Sequence, residues 1–449
     1  MTSTATATRL RDLGQPDDGG GPDWLVQSRS SAFGWLSEHG FPTQKNEAWR
    51  YLRLRPIIDS EFRPGQTGRD LSSEVLAELV PDLGGTRLVF LNGQLAPRLC
   101  VIGEPVEGLT ITSIASLLTA DSGGPPAFFD DRDLEYLDAF AALNVGLAGD
   151  GAFVGIAAGI TVEQPILLVY CSTDGQEPVL STTRSCVVAE HDSRAVIVET
   201  HVGVGITASF ANNVTRIQLG QNAQIEHHMI QNAAPAAVQF GVLDVTQAAN
   251  SRFSSNAFSL GASVARHEVR VSLDGEGADV TLAGLYLPSG SQHHDNPITV
   301  EHVAPDCTSR QIYNGVLDEH GHGVFNGRII VRPSANGTDA TQSNRNLVLS
   351  DQAEIDTRPR LEILTDDVTC AHGVTVGRLD EDAVYYLRTR GIPEPTARAM
   401  LTMAFANEMV QRIDNATLRS WVETVVSQRL DSSAGLASGL GASTLGITP

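Results

Sequence analysis

Across 449 residues the chain contains one lysine, Lys45, and that scarcity excludes several chemistries. A P-loop ends in Gly-Lys-Ser/Thr to hold phosphates, whereas Lys45 stands between Gln44 and Asn46, so this chain does not bind ATP by that device. Pyridoxal phosphate needs a Schiff-base lysine in a formed pocket, and Lys45 lies in a polar stretch near the N-terminus. A Gly-x-Ser-x-Gly nucleophile elbow and a His-Glu-x-x-His zinc helix are also missing. Positive charge is scarce: 53 Asp+Glu against 31 Lys+Arg leave a formal charge of −22, which argues against nucleic acid or an anionic membrane surface as a partner. Apolar runs such as 166–170 and 195–198 fall far short of the roughly 20 residues that span a bilayer. Residues 1–21 carry Asp12, Asp17 and Asp18 and no apolar segment, the pattern of a disordered tail and not of a signal peptide. A cytoplasmic protein is expected.

The five cysteines, Cys100, Cys171, Cys186, Cys307 and Cys370, are odd in number and widely spaced, without a Cys-x-x-Cys. Neither a disulfide framework nor a self-contained zinc site follows from them. Cys186 lies in an apolar run and reads as core packing, as do Cys100 and Cys171.

What is present is mostly short strands. The length fits two or three domains, or one elongated β domain with helical ends. Residues 22–87 form an N-terminal helical region in which Pro22-Asp23 starts a helix and Gly40 ends it. From 88 to 378 brief apolar runs alternate with Gly, Asn, Asp and Pro, interrupted by a helical stretch at 131–147. A loose cassette recurs at Ala195, Ala223, Ala278 and Ala353, spaced near multiples of 25 to 28 residues. That is the texture of stacked coils, since the apolar face of an alternating strand such as 223–230 cannot be buried by one coil alone. The 6% aromatic content favours a mainly β solenoid over a β-sandwich.

Beyond Leu379 the period becomes helical. Asp380 caps a helix that Gly391 closes, and Pro393 or Pro395 opens the next. Ala397, Met400, Leu401, Ala404 and Phe405 form one apolar stripe, and Leu418, Trp421, Val422 and Val425 another. These stripes in the 379–431 domain either dock on the β core or form a partner surface. Residues 432–449 read as a second disordered tail.

Between strands and helices lies Thr369-Cys370-Ala371-His372-Gly373. Residues i and i+2 on a strand point to one face about 6.5–7 Å apart, so Cys370 and His372 can address one ligand. Thiolate with imidazole suits zinc or iron-sulfur chemistry. A cluster usually takes four protein ligands, and two are offered here, so a partner would have to supply the rest. His293, His294, His302 and Asp295 form another polar group, read as strand-edge hydrogen bonding in preference to metal binding. His320 and His322 read as a turn, and Asp366-Asp367 as a solvated turn. Gly203-Val-Gly205 is a weak dinucleotide signal, because the following residues alternate as a strand.

The run Gly315-Val-Leu-Asp, Gly323-Val-Phe-Asn-Gly-Arg-Ile, Thr338-Asp-Ala-Thr-Gln-Ser-Asn-Arg-Asn-Leu, Asp356-Thr-Arg-Pro, Cys370-Ala-His-Gly and Tyr386-Leu-Arg-Thr-Arg-Gly-Ile resembles the SufB/SufD family of iron-sulfur cluster assembly proteins. Residues 45–51 resemble a motif near the family's N-terminus. The resemblance is strong over residues 292–413 and looser elsewhere. It leans to the SufD form: a SufB cysteine is missing from the segment 343–346, and Gly373 stands where SufB has Glu.

The resemblance implies a right-handed parallel β-helix flanked by helical regions. It also implies pairing with SufB through the β-helix end, docking of the ATPase SufC on the C-terminal helices, and no nucleotide bound by this chain. Cys370 and His372 would then face SufB where a transient iron or nascent cluster is shared, with His372 the better metal ligand. Two other readings stay open: a SufB-like homodimeric scaffold, and a β-helix enzyme acting on polysaccharide. The latter would need clustered carboxylates or basic groups and aromatic platforms, which the β region lacks.

Overall fold

The computed structural model describes residues 8–12, 22–65, 71–119, 138–173, 178–205 and 208–433. The expected C-terminal tail beyond Ser433, residues 131–137 of the internal helical stretch, and most of the N-terminal tail lie outside these residues. Within that N-terminal tail, residues 8–12 are a short strand and a 3-10 turn whose Leu10 is buried.

Fifteen consecutive strands build a parallel β-solenoid of about seven turns. In chain order they are β1 (Ile166–Thr173), β2 (Val179–Ala189), β3 (Arg194–Val204), β4 (Ser209–Leu219), β5 (Gln224–Asn232), β6 (Val238–Gln247), β7 (Arg252–Ser259) and β8 (Val264–Leu273). There follow β9 (Asp279–Tyr286), β10 (His293–His302), β11 (Thr308–Leu317), β12 (His322–Val331), β13 (Thr338–Val348), β14 (Glu354–Ile363) and β15 (Val368–Gly377). Even-numbered strands stack in one sheet and odd-numbered strands in the other, every pairing parallel and in register.

The repeat is longer and less regular than the alanine spacing predicts, running from 26 residues (Val238 to Val264) to 32 (His322 to Glu354). The unit that recurs is a left-handed turn residue followed by a small buried one. Asp192, Asn222, Asn250, Gly277, Asp306 and Gly337 have φ between 54° and 72°. Each donates its backbone N–H to the carbonyl of the next coil's turn, at 2.8–3.1 Å. Asn, Asp and Gly tolerate that conformation best, which explains the composition of this corner. Ser193, Ala223, Ser251, Ala278, Cys307 and Thr338 follow them, all at most 1% exposed. Ala223 and Ala278 belong to this corner. Ala195 lies in β3, paired with Ile225, and Ala353 precedes a strand of the other sheet.

Inside, Val, Ile, Leu and Phe from both sheets form one continuous core. The two outer faces are covered differently. Helix α1 (Asp23–His39) begins after Pro22 and ends at Gly40, as the sequence indicates; with helix α2 (Ala139–Leu147) and the 45–51 motif it packs on the even sheet. Trp49 and Phe140 meet Phe210 and Phe240 of that sheet. Arg266 lies over the Trp49 ring at 3.9 Å.

Helices α3 (Glu381–Thr389), α4 (Glu394–Val410) and α5 (Ala416–Ser433) follow the last strand, with Asp380 capping α3 through Asp382 N–H. The last two dock on the odd sheet's outer face, where Met409, Val410, Leu418, Val422 and Val426 join Val198, Ile230, Phe258, Leu285 and Val316. The α5 stripe is as expected. The α4 stripe is not: Met400 and Ala404 are exposed, while Ala397, Thr402, Ala406, Met409 and Val410 form the buried face. Ala397 is common to both rows, and the solenoid selects the row offset from the one with the cleaner apolar spacing.

Candidate functional site at the end coil

Among the described residues β14 and β15 are the last members of their sheets, each paired along one edge only. Earlier strands have nearly every residue buried or half-buried, whereas most of β15 is exposed. The free edge is therefore a row of backbone groups able to pair with another strand.

Side-chain parity puts Cys370 and His372 on one face, as their spacing requires. The register aligns Cys370 with Ala340 and His372 with Gln342 of β13, whose side chains point into the solenoid. Both site residues thus face the lumen, at the coil where the lumen opens. Cys370 is half-buried against the cluster of Ile329, Val331, Ala335 and Ala340. Burial pushes its thiol above the ordinary value, only partly opposed by the Ala340 backbone. At neutral pH it is a protonated thiol, and binding to a metal would have to displace its proton. His372 is exposed.

Among the described residues no three His, Cys, Asp or Glu side chains converge to hold a metal ion. The other histidines named from the sequence are dispersed, because neighbours on a strand face opposite ways. His294 points inward and lies 3.0 Å from the Gly261 carbonyl; His302 also points inward, 2.9 Å from Ser309 Oγ. His293 faces outward and meets His322 edge-on at 4.5 Å, and His322 lies 2.8 Å from Asp356. His320 is in a turn as expected, but His322 opens β12. Asp295 pairs with Arg266. Asp366 and Asp367 are an exposed bend, and Gly203-Val-Gly205 ends a strand that leads to another strand.

Sequence reasoning missed the row beneath the site. Ala340, Gln342, Asn344 and Asn346 line the lumen of β13, all at most 4% exposed. Asn344 donates to Tyr286 Oη at 3.1 Å and Asn346 to Asn344 Oδ1 at 2.7 Å. The alternation Gln342-x-Asn344-x-Asn346 was a legible sign of a polar inner face. A second clamp joins the N-terminal motif to the end coil: Arg360 and Arg358 of β14 both donate to Glu47 and hold its carboxyl at about 2.

Comparison with known proteins decides the family. Residues 170–405 match the SUF system FeS cluster assembly SufBD core domain, and residues 20–168 match the SufBD protein N-terminal region. The chain belongs to the SufBD family. It is 30% identical over 405 residues to the iron-sulfur cluster assembly protein SufD of Escherichia coli, covering 89% of this chain and 92% of that protein. A SufBD family protein of Synechocystis is 30% identical over 414 residues, covering 90% and 91%. SufD of Bacillus subtilis is 23% identical over 420 residues, covering 91% and 94%. The SufBD assignment joins the helical ends and the solenoid into one protein of iron-sulfur cluster assembly, SufD-like in its relatives. No helix among the described residues is long and apolar enough to cross a membrane.

Proposed function

We propose that this chain is a non-catalytic scaffold subunit of the SUF assembly complex, contributing Cys370 and His372 to a site that a SufB-type partner completes. The observation that carries the reading is the position of both residues on the lumen side of a terminal strand whose outer edge is unpaired among the described residues. A partner strand added to β15 would extend the odd sheet by one rung, about 4.8 Å away. Its side chains would then arrive directly over Cys370 and His372 and could supply the missing ligands. Iron or a nascent cluster is the cargo of this site. His372, exposed and aromatic-nitrogen bearing, is the first ligand to reach it. Cys370 follows when the metal displaces its proton. The ATPase of the system, SufC, docks on α3–α5 in this reading, where Tyr385, Tyr386 and Met400 are exposed.

Co-expression with SufB and SufC tests the role. Replacing His372 with Ala is expected to leave the three-subunit complex intact and to lower its iron and sulfide content at least severalfold. An unchanged content in the variant complex would refute the assignment.

A further inference from the structure

We infer that Gln342 is a positioning residue that orients the imidazole of His372. The inference rests on the proposed role of His372 as a metal ligand, but its test does not.

Gln342 is the residue stacked directly under His372, one coil inward and on the same face. Gln311 is in turn stacked under Gln342. Both glutamines are almost fully buried, at 2% and 1% exposed. Gln342 Nε2 donates to Gln311 Oε1 at 2.6 Å. The atoms left over are Gln342 Oε1 and Gln311 Nε2, both buried and without a hydrogen-bond partner. Room for the Gln342 amide comes from the facing strand: a Cβ at Gly327 would lie 1.9 Å from Gln342 Nε2.

In a stacked amide ladder the N–H and the C=O of one side chain point in opposite directions along the stack. Gln342 directs its N–H inward to Gln311, so its carbonyl oxygen is directed toward the end coil. A buried acceptor left unpaired carries its full desolvation cost. The next side chain in that column is His372, and a turn of its ring would bring a ring N–H to that oxygen. Donation to Gln342 fixes one neutral tautomer and leaves the other ring nitrogen with its lone pair directed out of the lumen, toward the partner. Metal-binding histidines usually donate their second N–H to such an acceptor, and loss of the acceptor typically weakens metal binding about 10–100-fold. Gln342 thus presents His372 in the form that a metal can use.

The test is the tautomer of His372 in the full-length, metal-free chain at pH 8, read by ¹⁵N chemical shifts after histidine labelling. The His372 signals are assigned by their loss in His372→Ala. The wild type is expected to show a single tautomer. Gln342→Leu, close in shape, is expected to give a mixture like that of free histidine. Gln342→Glu keeps an acceptor in place and is expected to restore the single tautomer, an effect that mere packing would not produce. Should Q342E not fold, Gln311→Leu provides the second arm, because it releases the inward anchor of the amide and is expected to mix the tautomers. Identical His372 tautomer populations in the wild type and Q342L would overturn the inference. So would a wild-type mixture. Neither outcome depends on cluster assembly, so failure here and failure of the proposed function are separable.

Discussion

Cys370 and His372 share a face because two steps along a strand restore direction, and this much was legible from Cys-x-His alone. Their setting was not. Local sequence does not say which residue of another coil lies beneath, so Gln342 and Gln311, some 30 residues apart from each neighbour in the stack, had no visible link to the site. The same limit applies to His293, His294 and His302, which are close in sequence yet divided between the two faces of β10. Burial has a measurable consequence for these rings and for two more, His201 of β3 and His267 of β8, both buried. Desolvation, the leading cause in each, lowers His201, His294 and His302 to about 4, and His267 and His293 to about 3. In the unfolded chain they take up protons below about 6.5. The unfolded state therefore binds more protons from about pH 6.5 down to about 4 for the first three rings and about 3 for the other two, so this stability is present above the window and is lost as pH falls through it. At pH 5.5 each ring contributes a loss of about 1.4 kcal/mol. Urea unfolding is expected to shift to clearly lower midpoints between pH 7.5 and 5.5. A midpoint that holds steady or rises over that range would contradict the burial of these rings.

The corner ladder and the helix ends are the elements that sequence rules describe well. Left-handed turns at Asp192, Asn222, Asn250 and Asp306 are written in residue type, as are the Asp380 cap and the Gly391 stop. The phase of α4 was not readable, since an Ala- and Met-rich helix offers two apolar rows and the choice belongs to the surface it meets. That choice separates two methionines on the same helix. Met409 is 1% exposed among Val410, Val422 and the odd-sheet side chains, whereas Met400 is 48% exposed. Met409→Ala is expected to lower stability by about 2–5 kcal/mol. Met400→Ala should change it by no more than about 0.5 kcal/mol. Denaturant titration of the two variants compares them directly, and equal losses would place α4 in the other phase.

At the scale of the molecule the two sheets are covered on their outer faces, by the N-terminal helices on one side and by α4 and α5 on the other. The solenoid's first coil is closed by the strand Arg87–Leu91 and its antiparallel partner Gln94–Leu95. Among the described residues the last coil has no such cover, and Ile363, Leu364 and Val376 are exposed there. A long β-solenoid with one blunted and one open end was foreshadowed by the repeating strand texture, but the open end emerges only when the coils are stacked. In the proposed function, that open end makes Cys370 and His372 half of a site. Iron retained after anaerobic reconstitution and desalting, measured on the isolated chain and on its complex with SufB and SufC, tests that claim most directly. The isolated chain is expected to retain no stoichiometric iron, while the complex retains iron that is lost with His372→Ala. A stoichiometric cluster held by the isolated chain, or one in the complex indifferent to His372, would contradict the account.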